Sequence, residues 1–449
     1  MNRWQFIGTL FFLWLTAEAG AAFAGADPVF SGTGPDASAD GAPDYPVGTR
    51  RAEPYPQVNL VGAFSHYDQL YSSHAIAKAA SPSTLRRAPQ ELALTYSFDG
   101  QARSLDDYLE RNPATGLLIA RGEEVLFEHY RYARTDRDRL VSHSMAKTIT
   151  AMLLGIAIED GKIRSLDEAA AAYVPDIAGT EYGKTPIRAL LHMASGVAFH
   201  EVYDGNDDIA KFARALFVSG SSGPAKAVAM FDNREATPDT RFHYASIETE
   251  VLGLVLAGAV QMTPAAYLET RIWQKMGAEA DASWVVDATG HEGTYCCFSA
   301  VLRDWARLGL VLAHDGAWNG QQIIPRQWLL DATTIAPGEG FRRPGIATPY
   351  YGYGYQVWIF PGPAPSVRFA RHSWAEDLCR PCGAARACSH FGAGQSNSAR
   401  PGRTHRAMEC AGQKTGTVAR KCQNQVHRPS ADLTEMVHRA SGPALSALG

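Results

Sequence analysis

Apolar and polar residues follow two different periods along this chain, and the change of period locates its elements. Residues 116–130 carry two short apolar runs around the polar turn Arg121-Gly122-Glu123, the pattern of a β-hairpin. Between 145 and 158 nearly every position is apolar, which predicts a helix buried on all sides and capped by Gly161. From Ser165 to about Leu330 the pattern is mostly helical. A short helix at 186–193 closes at Ser195-Gly196, others span 208–217 and 247–260, and one at 265–276 is capped by Gly277. An amphipathic helix at 300–313 stops at Asp315-Gly316. Residues 351–360, aromatic and β-branched and bounded by Pro361, return to strand character. The expected fold class is α/β, an antiparallel sheet flanked by helices plus a mainly helical lobe set between sheet elements.

The chain ends read differently. Arg3, an apolar run at 6–15 and the small residues Ala22-Phe23-Ala24 predict an export signal over 1–24, cleaved after Ala24. The run is too short for a permanent anchor, and no later stretch reaches the ~18 apolar residues a spanning helix needs. The expected location is periplasmic or secreted, with no membrane span after cleavage. Residues 25–90 begin rich in Gly, Ala, Pro and Asp and read as a linker or extended arm. The main domain is expected over 91–371, followed by an anomalous tail at 372–449.

Composition narrows the function. A chain of 449 residues has room for a large core, and a net charge of −4 gives no electrostatic footprint for nucleic acid. No basic helix with interleaved aromatics exists to reverse that conclusion.

The candidate chemistry lies at the mouth of the apolar helix. Ser144 and Lys147 form the only Ser-x-x-Lys in the chain, a spacing that puts both side chains on one helical face about one turn apart. A lysine buried there loses hydration, its pKa falls, and in its neutral form it can take the serine proton. Tyr244 precedes the helix at 247–260, and a phenol held beside an ammonium is expected to have its pKa lowered enough to share that proton.

Ser144-Met-Ala-Lys147, then Tyr244-Ala-Ser246 leading into Leu252-Gly253, resemble the serine hydrolases of the penicillin-recognising fold. The branch is that of class C β-lactamases, related esterases and 6-aminohexanoate-dimer hydrolases. Further matching segments are Ile187-Arg-Ala-Leu-Leu-His-Met-Ala-Ser-Gly196, Thr289-Gly-His-Glu-Gly293, Trp318-Asn-Gly320 and Tyr351-Gly-Tyr-Gly-Tyr355. The resemblance implies that Ser144 attacks a carbonyl carbon, that Lys147 and Tyr244 relay its proton, and that an acyl-enzyme is hydrolysed. It also implies that the Ser144 N–H is one oxyanion donor. The implied substrate is a small-molecule ester or amide; no cofactor and no metal is expected. Family members often carry Asn where Ser246 stands, a departure that leans away from β-lactamases and towards esterases and amide hydrolases. Ser246, Tyr203 and Trp284 are the candidate substrate-binding residues, and His143, His243 and Glu292 read as scaffold. The competing readings are a β-lactamase or D-alanyl carboxypeptidase, and an impaired or non-catalytic product.

That last reading comes from the tail. The family supplies a third motif and the second oxyanion donor on a strand soon after 351–360. From His372 onward the chain has no Ile and no Tyr, and five of its seven cysteines lie there (Cys379, Cys382, Cys388, Cys410, Cys422). Zinc ligation by Cys379, Cys382, Cys388 and His390 matches no established spacing, and Lys414-Thr415-Gly416 lacks a strand around it. The codons allowed for residues 372–382, read one nucleotide later, can encode a short apolar stretch. The expectation is a reading-frame slip between about Pro365 and His372, with C-terminal strands missing or aberrant.

Overall fold

The computed structural model describes residues 30–31, 34–35, 45–49 and 57–362 apart from 99, 112–113 and 219, together with the backbone of 367–370, 375–380 and 386–392. The export signal at 1–24 and the tail beyond 392, with Cys410, Cys422 and Lys414, lie outside the described residues, as do the side chains of Cys379, Cys382, Cys388 and His390.

In chain order the strands of the two largest sheets are β1 (Ser73–Ile76), β2 (Arg86–Arg87), β3 (Ala114–Arg121), β4 (Glu124–Tyr130), β5 (Arg139–Val141), β6 (Ala282–Val285), β7 (Phe298–Val301), β8 (Gly352–Tyr353), β9 (Trp358–Ile359), β10 (Val367–Ala370), β11 (Ala375–Arg380) and β12 (Arg386–Gly392). The principal helices are α1 (Gln57–Ser65), α2 (Leu105–Arg111), α3 (Ala146–Glu159), α4 (Ile187–Leu191), α5 (Asp208–Phe217), α6 (Ser246–Val260), α7 (Pro264–Leu268), α8 (Leu302–Ala313) and α9 (Arg326–Thr333).

The larger sheet has eight strands in the order β8-β9-β10-β11-β12-β3-β4-β2, antiparallel except where β2 runs parallel to β4. The hairpin read from the sequence is β3–β4, its turn made at Gly122 with φ of 57°. Residues of β3 alternate between two cores: Leu118 and Ala120 join the main one, Leu117 and Ile119 a second one with Tyr96, Phe98 and Tyr108. A strand covered on both faces reads as a continuous apolar run. The second sheet has four strands, β1-β6-β7-β5.

The tail strands occupy a stretch whose side-chain pattern predicts none. β11 lies between β10 and β12, and β12 pairs with β3 from Arg386↔Arg121 to His390↔Leu117. A ladder asks only for backbone N–H and C=O groups on either side, so pairing is available to a segment without an apolar pattern.

Helix α3 is the centre of the helical lobe. All residues from Ala146 to Ala157 are buried, as the unbroken apolar run predicts. It packs on α6 and α9, and at Gly155 the approach is so close that an added Cβ would stand 2.3 Å from the Trp328 ring. Helix α8, amphipathic in sequence, is buried almost throughout. Its polar face is enclosed because it is paired: Arg307 donates to Asp304 at 2.9 Å and Glu279 at 2.8 Å. Arg303 also grips the buried Glu128 of β4 with two hydrogen bonds of 2.7 and 2.8 Å, tying α8 to the sheet.

Two elements differ from the sequence pattern. The predicted strand at 351–360 is a pair of two-residue strands, β8 and β9, folded back at Gln356 with φ of 58°. Tertiary contacts make that turn: Gln356 Nε2 donates to Leu190 O at 2.9 Å, and Gln356 Oε1 accepts from Thr249 Oγ1 at 2.8 Å. The predicted helix at 265–276 is the short α7 followed by a π-helical turn, Glu269–Trp273.

Candidate active site

Ser144 sits in a single 3₁₀ turn, His143–Met145, that feeds directly into α3. His143 before it has φ of 43°, an uncommon conformation for a residue with a Cβ and one that tends to mark functional turns. The turn is held from below. Ser142 N–H donates to Phe298 O at 2.6 Å, and Phe298 N–H returns a bond to Ser142 Oγ at 3.0 Å. Thr148 Oγ1 donates to Gln356 O at 2.7 Å and Thr150 Oγ1 to Thr294 O at 2.9 Å. The loop at 293–298 and the turn at 354–356 thus clamp the start of α3 from two sides. The loop also carries a disulfide between neighbouring residues, Cys296 and Cys297.

Lys147 Nζ lies 3.0 Å from Ser144 Oγ and donates to the buried Tyr295 O at 2.9 Å. The side chain is 1% exposed. Burial pushes the Lys147 pKa down to about 8, against the opposing charges of Glu201 and Glu250.

Tyr244 joins them: its ring is 5.2 Å from Lys147 Nζ, and its hydroxyl is close enough to Ser144 for the serine to favour the ionised phenol. The expected lowering of its pKa does not occur. Burial pushes the phenol up, Glu201 adds to the rise, and Ser144 offsets only part of it. Tyr244 is therefore a neutral phenol that can accept and pass on a proton, and it is not a phenolate base. It stacks on Trp358 at 5.5 Å and meets Tyr353 edge-on at 6.2 Å, so the folded-back β8–β9 pair supplies an aromatic wall.

The remaining predicted residues divide. Ser246 is close by, but it is 2% exposed and its hydroxyl donates to Glu201 at 2.7 Å. Tyr203 is 46% exposed and its hydroxyl also donates to Glu201. Trp284, expected in a pocket wall, is 0% exposed; its indole N–H donates to Gly293 O at 3.1 Å and Cys296 O at 2.9 Å beneath the clamping loop. The correction has a simple cause: β6 is buried on both faces, so neither side of it reaches solvent. His143 packs edge-on against Phe64, His243 Nε2 bonds to Phe199 O, and Glu292 accepts from Ala265 N–H and pairs with His74. Sequence reasoning missed Glu201, the Tyr295 carbonyl and Trp358. Among the described residues no group of three or more His, Cys, Asp or Glu side chains is placed to hold a metal ion.

The chain is 26% identical over 260 residues to the 6-aminohexanoate-dimer hydrolase of Paenarthrobacter ureafaciens, a match that covers 57% of this chain and 66% of that protein. A provisionally named 6-aminohexanoate-dimer hydrolase of Bacillus anthracis superposes with a TM-score of 0.68 at 22% identity, covering 76% of this chain and 90% of that one. A penicillin-binding protein of Bacillus halodurans gives 0.52 at 17% identity, covering 65% and 96%. Likeness at such identities is likeness of fold. The Beta-lactamase family profile matches residues 102–412. That span takes in the Ser144 turn, Tyr244 and the β8–β9 wall together, and the chain belongs to the Beta-lactamase family.

Proposed function

We propose that the protein hydrolyses an ester or amide bond of a small molecule through an acyl-enzyme on Ser144. The observation that carries this reading is the 3.0 Å contact between Ser144 Oγ and a buried lysine whose pKa is pushed down to about 8. Neutral Lys147 takes the Ser144 proton as Oγ attacks the carbonyl carbon. Partial positive charge at the start of α3 stabilises the developing oxyanion. Tyr244, beside Ser144, passes the proton to the leaving alcohol or amine, and water then attacks the ester of Ser144 by the reverse relay. Strands β10 and β11 run beside the Ser144 turn, the position from which the resemblance expects the second oxyanion donor.

The test is covalent labelling. A fluorophosphonate probe should add once per chain, on the peptide carrying Ser144, and a penicillin should acylate poorly. Fast and lasting acylation by penicillin would favour a β-lactamase or carboxypeptidase instead. The impaired-product reading rests on the composition beyond His372; its signature is no labelling with Ser144 intact. The nucleotide sequence from codon 355 onward tests the frame slip directly, and mature N-terminal sequencing tests export.

A pH dependence follows. Lys147 accepts a proton only when neutral, so kcat/KM should rise with pH along a limb centred near the value of about 8 to which burial brings it. A flat profile from pH 6 to 9 would remove Lys147 as the base.

A further inference from the structure

The loop at 293–298 anchors both members of the Ser144–Lys147 pair, one on each side of a disulfide. Before the bond, Tyr295 O accepts from Lys147 Nζ at 2.9 Å, and the Tyr295 ring lies 5.5 Å from the same nitrogen. After it, Phe298 exchanges hydrogen bonds of 2.6 and 3.0 Å with Ser142 and so fixes the turn that carries Ser144. Cys296 and Cys297, which lie between these anchors, are bonded to each other. A bridge between adjacent residues closes a small ring through the peptide that joins them. Both anchors are thereby tied to one rigid unit.

The backbone there needs the tie. Cys297 has φ of 70°, a left-handed conformation uncommon for a residue with a Cβ. Such a conformation persists only where the surroundings enforce it. Cys296 O accepts from Trp284 Nε1 at 2.9 Å and Cys297 O from Val285 N–H at 3.2 Å, but neither contact holds the Cys297 side chain. The sulfur bridge does. With the bridge open, Cys297 is free to return to negative φ, which rotates the 296–297 peptide and shifts the Tyr295 and Phe298 anchors relative to each other. Lys147 and Ser144 then lose their common register.

We propose that the Cys296–Cys297 disulfide is the positioning element of the Ser144–Lys147 pair and makes the site redox-responsive, fast with the bond closed and slow with it open. The assignment rests on the Ser144 acyl-enzyme reading. A dithiol supplies the opening step: its thiolate attacks one sulfur, the S–S bond takes up two electrons and two protons, and a pair of cysteine thiols and the reductant's own disulfide remain. Neither cysteine has a part in the proposed proton relay, so the effect should fall on kcat and leave KM.

The test uses the full chain with the five tail cysteines (Cys379, Cys382, Cys388, Cys410 and Cys422) replaced by serine, so that a single pair can respond. Alkylation under denaturing conditions should label neither cysteine of the untreated protein and both after a dithiol. On reduction, kcat for a p-nitrophenyl ester should fall about tenfold with KM held within about twofold, and kcat should return on reoxidation. Cys296 and Cys297 are only 8% and 6% exposed, so variants that lack the bond are needed beside chemical reduction. Cys297→Ser should sit at the reduced rate and ignore the dithiol. Cys297→Gly also lacks the bond, but glycine holds positive φ freely and should recover most of the lost kcat. A bond that served stability alone would lower Tm in both variants without separating their rates. Free thiols in the untreated protein, a kcat in Cys297→Ser equal to that of the closed form, or a Cys297→Gly as slow as Cys297→Ser overturns the assignment. Fluorophosphonate labelling separates the two levels: a closed form that takes no label sinks the hydrolase reading with it, whereas one labelled at the same rate open or closed sinks the disulfide assignment alone.

Discussion

Ser144→Ala should remove fluorophosphonate labelling completely and lower ester turnover by about 10⁴-fold or more, because the nucleophile has no stand-in. Only the Oγ atom is lost from a half-buried turn whose backbone is fixed by Ser142 and Phe298, so the fold should persist. Binding contacts elsewhere in the site remain, which puts the loss in kcat. Intact-mass spectrometry of probe-treated protein reads the result directly. The paired control is Ser246→Ala, which removes a hydroxyl two residues from Tyr244 and should keep the adduct, since that hydroxyl serves Glu201. An adduct surviving in Ser144→Ala would place the nucleophile elsewhere and dissolve the mechanism.

Gly253→Ala should damage stability and rate together. On α6 an added Cβ would stand 2.1 Å from Thr294 Oγ1 and 2.5 Å from its Cγ2, far inside van der Waals contact. Thr294 has no easy retreat. Its N–H and hydroxyl both donate to Glu250, at 2.8 and 3.0 Å, and its carbonyl accepts from Thr150 at 2.9 Å. The next carbonyl, that of Tyr295, is the one that holds Lys147. Overpacking of this kind costs roughly 1–3 kcal/mol, read as a fall of several degrees in Tm. The shift should also carry the Lys147 acceptor with it and cut kcat by about tenfold. Gly179→Ala, where nothing lies within 4 Å, is the neutral comparison. If Gly253→Ala keeps both Tm and kcat, the loop at 293–298 does not position the lysine.

What could be read from the chain was what lies close in sequence or leaves a side-chain pattern. The Ser144–Lys147 pair is one helical turn, and the apolar run behind it forces α3 inside, so a lysine buried beside Ser144 could be read from spacing and pattern, while a catalytic role for the pair came only with the resemblance. Tyr244 is a hundred positions away and became legible only through the company of Ser246, Leu252 and Gly253. The Tyr295 carbonyl was invisible because a backbone acceptor has no residue signature. Glu201 lies in a loop whose path is set by His243 bonding to Phe199 O, a contact no period announces. The sign of the Tyr244 shift went astray for a related reason: the sequence shows a neighbouring lysine, but desolvation, which outweighs it, depends on Trp358 and Tyr353 closing over the ring. Those two could be found as a strand, and the fold-back at Gln356 that turns them into a wall could not.

The pairing of β3 with β12 joins Arg121 to Arg386. During synthesis β3 and β4 leave the ribosome long before β12 does, and sheets closed by distant segments form late. Until then β3 offers a largely apolar strand with one edge unpaired, a template for other nascent chains. A message broken before codon 386 is therefore expected to give an aggregate rather than a smaller enzyme.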